Sequence, residues 1–361
     1  MPTGIANEPN HDPNFVANWA KNLGISEHAV DLYLDSDVID LHVDSFIWTR
    51  CFGYRLDRRH GPGLLHARHF SQVDIPRLRE ARISGATWVI TTNPWRPRKS
   101  RARALFQNVR QLTAILESQS QSVRIVSTFA DYVAAKRAGL HAAFLGVQGA
   151  NAIEDSSSWD SVVDQRFLRM TLMHLMNSRL GQTSTPLRLG KDRGLTAKGY
   201  ELVQFLNSKR ILVDLAHASR RTFDDVLGCH DRNIPPIVTH TGMSAVYRHW
   251  RNISDEQLRA IADRGGIIGI FFHSPFLAPG LSRCGVRVVA RHIAHAVNAI
   301  GASHVSLGSD WDGNIVTPRD MPTCLELPRL VQALLTEGLT DLQVRSVLGG
   351  SFLDLLRSFR P

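Results

Sequence analysis

The chain has 361 residues, 43% of them apolar and 21% charged, with a formal net charge of +9. That length and apolar share suffice for one large buried core and exclude a disordered or fibrous chain, and no apolar stretch reaches the length of a membrane span. The charge is scattered except in Arg96-Pro97-Arg98-Lys99-Ser100-Arg101-Ala102-Arg103, which reads as a solvated loop rather than a nucleic-acid surface.

In chain order, Met1-Pro2-Thr3-Gly4-Ile5-Ala6-Asn7-Glu8 lacks the basic segment and apolar core of a secretory signal, so a cytoplasmic protein is expected. A short polar N-terminal arm, about residues 1–35, includes a short helix ending near Leu34. Apolar, strand-like runs then recur at 38–44, 86–92, 143–148, 168–174, 211–217, 236–240, 266–272 and 304–310. Helical stretches lie between them. Ser254-Asp255-Glu256-Gln257 fits a capping box before a helix that stops at Gly265-Gly266, and Thr340-Asp341-Leu342-Gln343 repeats the device before Gly349-Gly350. Strand and capped helix in alternation is the βαβ pattern of a parallel sheet covered on both faces.

An open, doubly wound sheet alternates in the same way. Polar residues at the ends of six of these runs converge only if the sheet closes, so the expectation is one (β/α)8 TIM barrel domain spanning residues 1–361. No phosphate-loop or dinucleotide motif occurs, and Gly146-Val147-Gln148-Gly149 precedes none. Cys51, Cys229, Cys284 and Cys324 form no C-x-x-C pair and read as reduced, buried thiols.

The chemistry sits where apolar runs end. In Asp40-Leu41-His42-Val43-Asp44 an imidazole and a carboxylate two residues apart share one side of a strand, a natural grip for a divalent ion. His217 and His240 each end a run of their own, so a second imidazole pair is available for a second metal. Asp310 closes the set. Two metals sharing a water would produce a nucleophile near neutral pH and polarise a carbonyl; Asp310 then orients the water and accepts its proton. His174 is placed to donate a hydrogen bond to the developing oxyanion.

Taken with their surroundings, these residues resemble the membrane (renal) dipeptidase family of zinc peptidases, a branch of the metal-dependent, amidohydrolase-like barrels. The resemblance runs from about Asp40 to Leu356. Its landmarks include Asp40–Asp44, Gly194-Leu195-Thr196, Ile211–His217, Arg251-Asn252, Gly265–Gly269, Gly308-Ser309-Asp310-Trp311-Asp312-Gly313 and Leu348-Gly349-Gly350-Ser351-Phe352-Leu353. It implies that His42 and Asp44 bind one zinc and His217 and His240 the other. It further implies that His174 contacts the substrate carbonyl, that Asp310 lies at the bridging water, and that Arg251 binds the terminal carboxylate of a dipeptide.

Three positions depart from the family pattern. The bridging glutamate of a Gly-x-Glu-Gly context is replaced by Gln148, a neutral donor that leaves metal–metal repulsion less compensated. Phe271-Phe272-His273 stands where the family has Asn-Phe-Tyr, which puts His273 toward the substrate. Val43-Asp44-Ser45-Phe46 replaces Asn-Asp-Leu-Pro. The leading expectation is therefore a metal-dependent hydrolase of dipeptides or related small amides, with one or two zinc ions. Iron and manganese suit a His/Asp/Gln set equally well. A diverged enzyme cleaving another C–N or C–C bond of an amino-acid-derived intermediate with one metal, and a non-catalytic binding protein, are the alternatives. A small-molecule or dipeptide partner is expected, with no nucleic acid and no membrane; a homodimer is compatible with the reading.

Overall fold

The computed structural model describes residues 11–63, 66–93, 95–161, 163–186, 191–280 and 284–361. Nine strands are present among them: β1 Ile39–Val43, β2 Gly85–Thr91, β3 Val123–Ile125, β4 His141–Gln148, β5 Phe167–Thr171, β6 Leu212–Asp214, β7 Ile237–Thr241, β8 Ile267–Ile270 and β9 Val305–Leu307. Eight close into a ring, β1-β2-β4-β5-β6-β7-β8-β9 and back to β1. Every pairing is parallel. Strands β1, β2 and β4 are buried at every position, as strands enclosed by helices outside and side chains inside must be. The (β/α)8 barrel is thus formed by the eight expected runs.

The additional β3 pairs with β4 through Val123–His141 and Ile125–Ala143. At three residues, with Arg124 exposed, it is too short for an apolar period to reveal it.

Most strands are shorter than the apolar runs. β5 stops at Thr171, β6 at Asp214 and β9 at Leu307, so His174, His217 and Asp310 lie on the turns just beyond their strands. His217 and Asp310 adopt left-handed backbone, with φ of 66° and 63°. Such conformations in non-glycine residues concentrate at functional sites.

Helix ends follow the capping signals, with one exception. Ser254 with Gln257 and Thr340 with Gln343 form reciprocal capping boxes. Gly265 turns left-handed after the first of these helices. Gly349-Gly350, expected as a stop, instead lies in a π-helical turn, Ser346–Gly350, that runs on into the helix Ser351–Phe359. A methyl group at Gly349 would stand 2.5 Å from the Asp37 carbonyl oxygen, so this glycine serves close packing of the helix against the entrance to β1 rather than termination.

The N-terminal stretch carries two helices, Pro13–Leu23 and Glu27–Leu34, capped by the Asp12 and Ser26 side chains; residues 1–10 of the expected arm lie outside the described residues. Val16, Ala20 and Val30 pack into a small cluster, and the Tyr33 hydroxyl donates to the Ala81 carbonyl at 2.6 Å. The basic run is no loop: from Arg98 it begins the helix Arg98–Ser118, where Arg101 pairs with buried Glu154 at 2.8 Å. All four cysteines are free; Cys284 and Cys324 are buried but Cys51 is exposed, contrary to the expectation for all four.

A buried histidine away from the site makes stability pH-dependent. His141 hydrogen-bonds the Ile83 carbonyl through Nδ1 at 2.9 Å, and its Nε2 accepts from the Trp88 indole at 3.2 Å. Burial lowers its pKa to about 4. The folded value lies below the unfolded value of 6.5, so this stabilisation is present above pH 6.5 and is lost as pH falls toward 4. Between pH 7 and 5 the loss comes to about 2 kcal/mol. In urea titrations, His141→Gln should lose about 2 kcal/mol less than the wild type over that interval. A variant whose stability falls in parallel with the wild type would show that His141 does not titrate this way.

Candidate metal and substrate site

The residues singled out from the sequence meet at the carboxyl end of the barrel. Asp44, Gln148, His174, His217, Arg251 and Asp310 line one cavity of about 720 Å³. His273 lines it too, beside Trp250, Phe271 and Phe276. His42 and His240 lie beneath, buried. The His42 and His240 ring centroids are 3.9 Å apart, His217 and His240 5.0 Å, and His174 and His217 4.9 Å.

Strand ends are tied to one another by carboxylates that hold this set in place. Asp40 accepts from the His42 amide at 2.8 Å and from the Ser309 amide at 3.2 Å, binding β1 to the turn that carries Asp310. Asp312 accepts from the Gln72 amide at 2.8 Å and the Val73 amide at 3.2 Å, and takes the Ser45 hydroxyl. Burial raises the carboxyl groups of both Asp40 and Asp312 to about 6. Gly308 allows the close approach of β9 to β7, because a methyl group there would meet the Thr239 carbonyl oxygen at 1.8 Å.

The buried network under the site was not foreseen from the sequence. Asp214 Oδ2 accepts from Thr239 Oγ1 at 2.7 Å, Thr171 Oγ1 at 2.5 Å and Arg169 at 3.2 Å. The Thr239 hydroxyl proton is therefore committed to Asp214, and its oxygen accepts from His240 Nδ1 at 2.9 Å. That places the His240 proton on Nδ1 and leaves the Nε2 lone pair facing the site, the tautomer a metal ligand needs. His217 Nε2 lies 2.9 Å from His240 Nε2. His217 Nδ1 has no partner among the described residues, so nothing holds its proton in place.

His42 is prepared differently. The buried Arg169 guanidinium donates to His42 Nδ1 at 2.9 Å and to the Leu41 carbonyl at 3.2 Å. Arginine is a donor only, so Nδ1 accepts and the proton of a neutral His42 sits on Nε2. That atom faces Asp44 at 3.5 Å and Asp310 at 3.7 Å. Gln148 Nε2 donates to Asp44 at 3.2 Å, leaving Gln148 Oε1 without a partner. The Thr91 hydroxyl also bonds Asp44.

Electrostatics follow the geometry. Burial, helped by the nearby Asp44 charge, pushes the Asp310 carboxyl well above its ordinary value. Burial lowers His174 to about 4 and takes His217 and His240 well below the ordinary imidazole value, so these rings are neutral. Arg251, lowered by burial to about 10, remains a cation; it donates to the His240 carbonyl at 3.0 Å and lies over the Phe271 ring at 5.8 Å. It has no carboxylate partner among the described residues. His273 accepts from the Val316 amide at 2.9 Å, which anchors the loop beyond β9 as well as lining the cavity.

The donor set fits a divalent cation. Ligand atoms of His42, His240 and Asp310 lie within 4.8 Å of one another, and crowded carboxylates beside neutral imidazoles are stabilised by a cation. The fit is uneven. An ion on His240 and His217 leaves the Arg169 network intact, whereas ligation by His42 Nε2 requires that atom to lose its proton or Arg169 to give up Nδ1.

Known proteins agree with this architecture. A family profile described as membrane dipeptidase (peptidase family M19) matches residues 26–360. An uncharacterized protein in the pqqA 5′ region of Klebsiella pneumoniae is 35% identical over 168 residues, which span 46% of this chain and 61% of that protein. Dipeptidase tcpJ of Claviceps purpurea is 27% identical over 316 residues, 85% of this chain and 73% of its own. A metallo peptidase from Rhodobacter sphaeroides, solved with a phosphinate mimic of the dipeptide L-Ala-D-Ala, superposes with a TM-score of 0.77 at 22% identity, covering 89% of this chain and 99% of its own.

Proposed function

Because the chain belongs to the membrane dipeptidase family, peptidase family M19, we propose that it is a metal-dependent hydrolase of dipeptides or closely related small amides. The observation that carries this reading is the contact of metal-ready His240 with His217, with Asp310 grouped on His240 and His42, at the floor of a cavity that also holds the Arg251 cation. The residues that would hold the metal are His217 and His240, with His42, Asp44 and Gln148 as a weaker second half. Zinc suits the nitrogen-rich set. When bound, the ion would lower the pKa of water and polarise the scissile carbonyl.

This chain's own residues do the rest. Arg251 binds the terminal carboxylate of the substrate and fixes its register over the site. Asp310, ionised beside a bound cation, takes up the proton of the attacking water and returns it to the leaving amine. His174, neutral near pH 7, donates a hydrogen bond to the oxygen of the carbonyl under attack. Trp250, Phe271 and Phe276 supply apolar surface for a side chain and exclude water. The Rhodobacter protein's dipeptide mimic supports a substrate of this size.

Metal content separates the one-ion and two-ion forms. Protein purified without chelator should carry about one equivalent of tightly bound metal, because Gln148 contributes no charge between two ions and Arg169 occupies the second nitrogen of His42. Gln148→Glu should raise the stoichiometry above one. Two full equivalents in the wild type, with rapid turnover of ordinary dipeptides, would show that a neutral amide suffices at this position. No bound metal and no hydrolysis across a dipeptide panel would favour the binding-protein reading.

A further inference from the structure

The barrel mouth carries a second unpaired guanidinium, and its position bears on the substrate. Arg50 lies in the helix Phe46–Phe52 that follows β1, and it lines the same cavity as Arg251. It donates to the Thr91 carbonyl at 2.9 Å, at the end of β2, and lies over the Phe46 ring at 5.6 Å. Its Nε is buried without a hydrogen-bond partner, and it has no carboxylate within ion-pair distance among the described residues. Arg251 is anchored to the His240 carbonyl in β7. In the ring of eight, β2 and β7 are four places apart. The two cations therefore stand on opposite sides of the mouth, with the proposed metal ligands between them.

A dipeptide laid across this mouth with its carboxylate on Arg251 directs its amino-terminal half toward Arg50. The groups there are mostly neutral or cationic. Thr91, Thr92, Asn93, Asn108 and Gln111 are neutral, and Arg96 adds another positive charge to the lining. Asp44, the carboxylate on that side, is already bonded by Thr91 and Gln148. A cation drawn partly out of water without a counter-ion is costly, and a substrate carboxylate would reduce that cost at half-buried Arg50 as another does at buried Arg251. The cavity, at about 720 Å³, is in the range that accommodates a whole small-molecule ligand.

We propose that the preferred substrate carries two carboxylates: it is an amide or dipeptide whose acyl half bears a carboxylate that binds Arg50 while its terminal carboxylate binds Arg251. This rests on the hydrolase reading of the same site. Arg50 is then a specificity residue, and Arg96 adds to the field that favours an acidic acyl group.

The probes are Glu-Ala and Gln-Ala, which match in size and differ in the charge of one side chain. On metal-loaded wild-type protein, kcat/KM for Glu-Ala should exceed that for Gln-Ala by roughly 10- to 100-fold, as expected for one partly desolvated ion pair. Arg50→Gln should bring the ratio close to one, while Arg50→Lys, which keeps the charge and loses the fork, should retain part of it. Equal rates in the wild type, or a preference that survives Arg50→Gln, would overturn the proposal. If neither peptide is cleaved, the hydrolase reading fails separately, and calorimetric titration of the metal-free protein with the two peptides still decides the question. Tighter binding of Glu-Ala that is lost in Arg50→Gln supports a site for two carboxylates, and indistinguishable binding refutes it. Because the wild-type comparison needs no substitution, a misfolded Arg50 variant leaves the test intact.

Discussion

Replacing His240 with alanine is expected to remove the tightly held metal and to lower kcat/KM on dipeptides by on the order of 10³-fold, since Lewis-acid stabilisation of this kind is worth several kcal/mol. The size of the effect follows from how completely this ring is prepared. Its Nδ1 proton is committed to Thr239, whose own proton is committed to Asp214, and His217 Nε2 faces it at 2.9 Å. Thr239→Val, which removes the acceptor of the Nδ1 proton without touching the ligand, should cost a smaller 10- to 100-fold in metal affinity. Metal analysis after dialysis and steady-state kinetics read both effects. If His240→Ala keeps its metal and its turnover, the ion is held elsewhere and the site is assigned wrongly.

The second large effect concerns recognition. Arg251→Ala should weaken substrates with a free terminal carboxylate by about 2 to 5 kcal/mol, the range for a buried charge pair broken on one side. Carboxyl-amidated analogues should lose far less. The expectation draws on burial, which already lowers Arg251 to about 10, and on the absence of a carboxylate partner for it among the described residues. Its contacts are with the His240 carbonyl and the Phe271 face, neither of which neutralises it. Kinetics on a dipeptide and its amide, side by side, separate the cases. Equal damage to both would make Arg251 a structural support for the end of β7.

Both effects depend on ligands whose strand-end placement was legible from residue order. The runs ending in His42, His240 and the segments before His217 and Asp310 are apolar because both faces of a barrel strand are buried, and a polar side chain directly after such a run has to emerge at the mouth. The same reasoning, with the capping boxes at Ser254 and Thr340, was enough for the (β/α)8 alternation. It did not extend to the left-handed turns at His217 and Asp310, which apolar periodicity does not register, nor to Gly349, whose reason for being glycine is a carbonyl more than 300 residues away in the chain. Arg98 to Arg103 read as loop because charge alone suggests solvent, yet Glu154 from another part of the chain gives Arg101 a buried partner.

What the sequence determined by itself is the barrel, the identities of the side chains at its mouth, and the resemblance that the family match bears out. These follow from local pattern: period, capping and the residue that ends each run. Only the tertiary structure decided which imidazole nitrogen faces the site. That depends on Arg169, Thr171, Asp214 and Thr239, which β5, β6 and β7 bring together beneath His42 and His240. A buried arginine within Leu168–Met173 was the one available signal, since a charge inside an apolar strand requires a partner. The partner's identity was not legible, because hydrogen-bond roles are fixed by distances between strands far apart in sequence. The same holds for Arg50 and Arg251, which become two ends of one cavity only when the ring closes and sets β2 opposite β7.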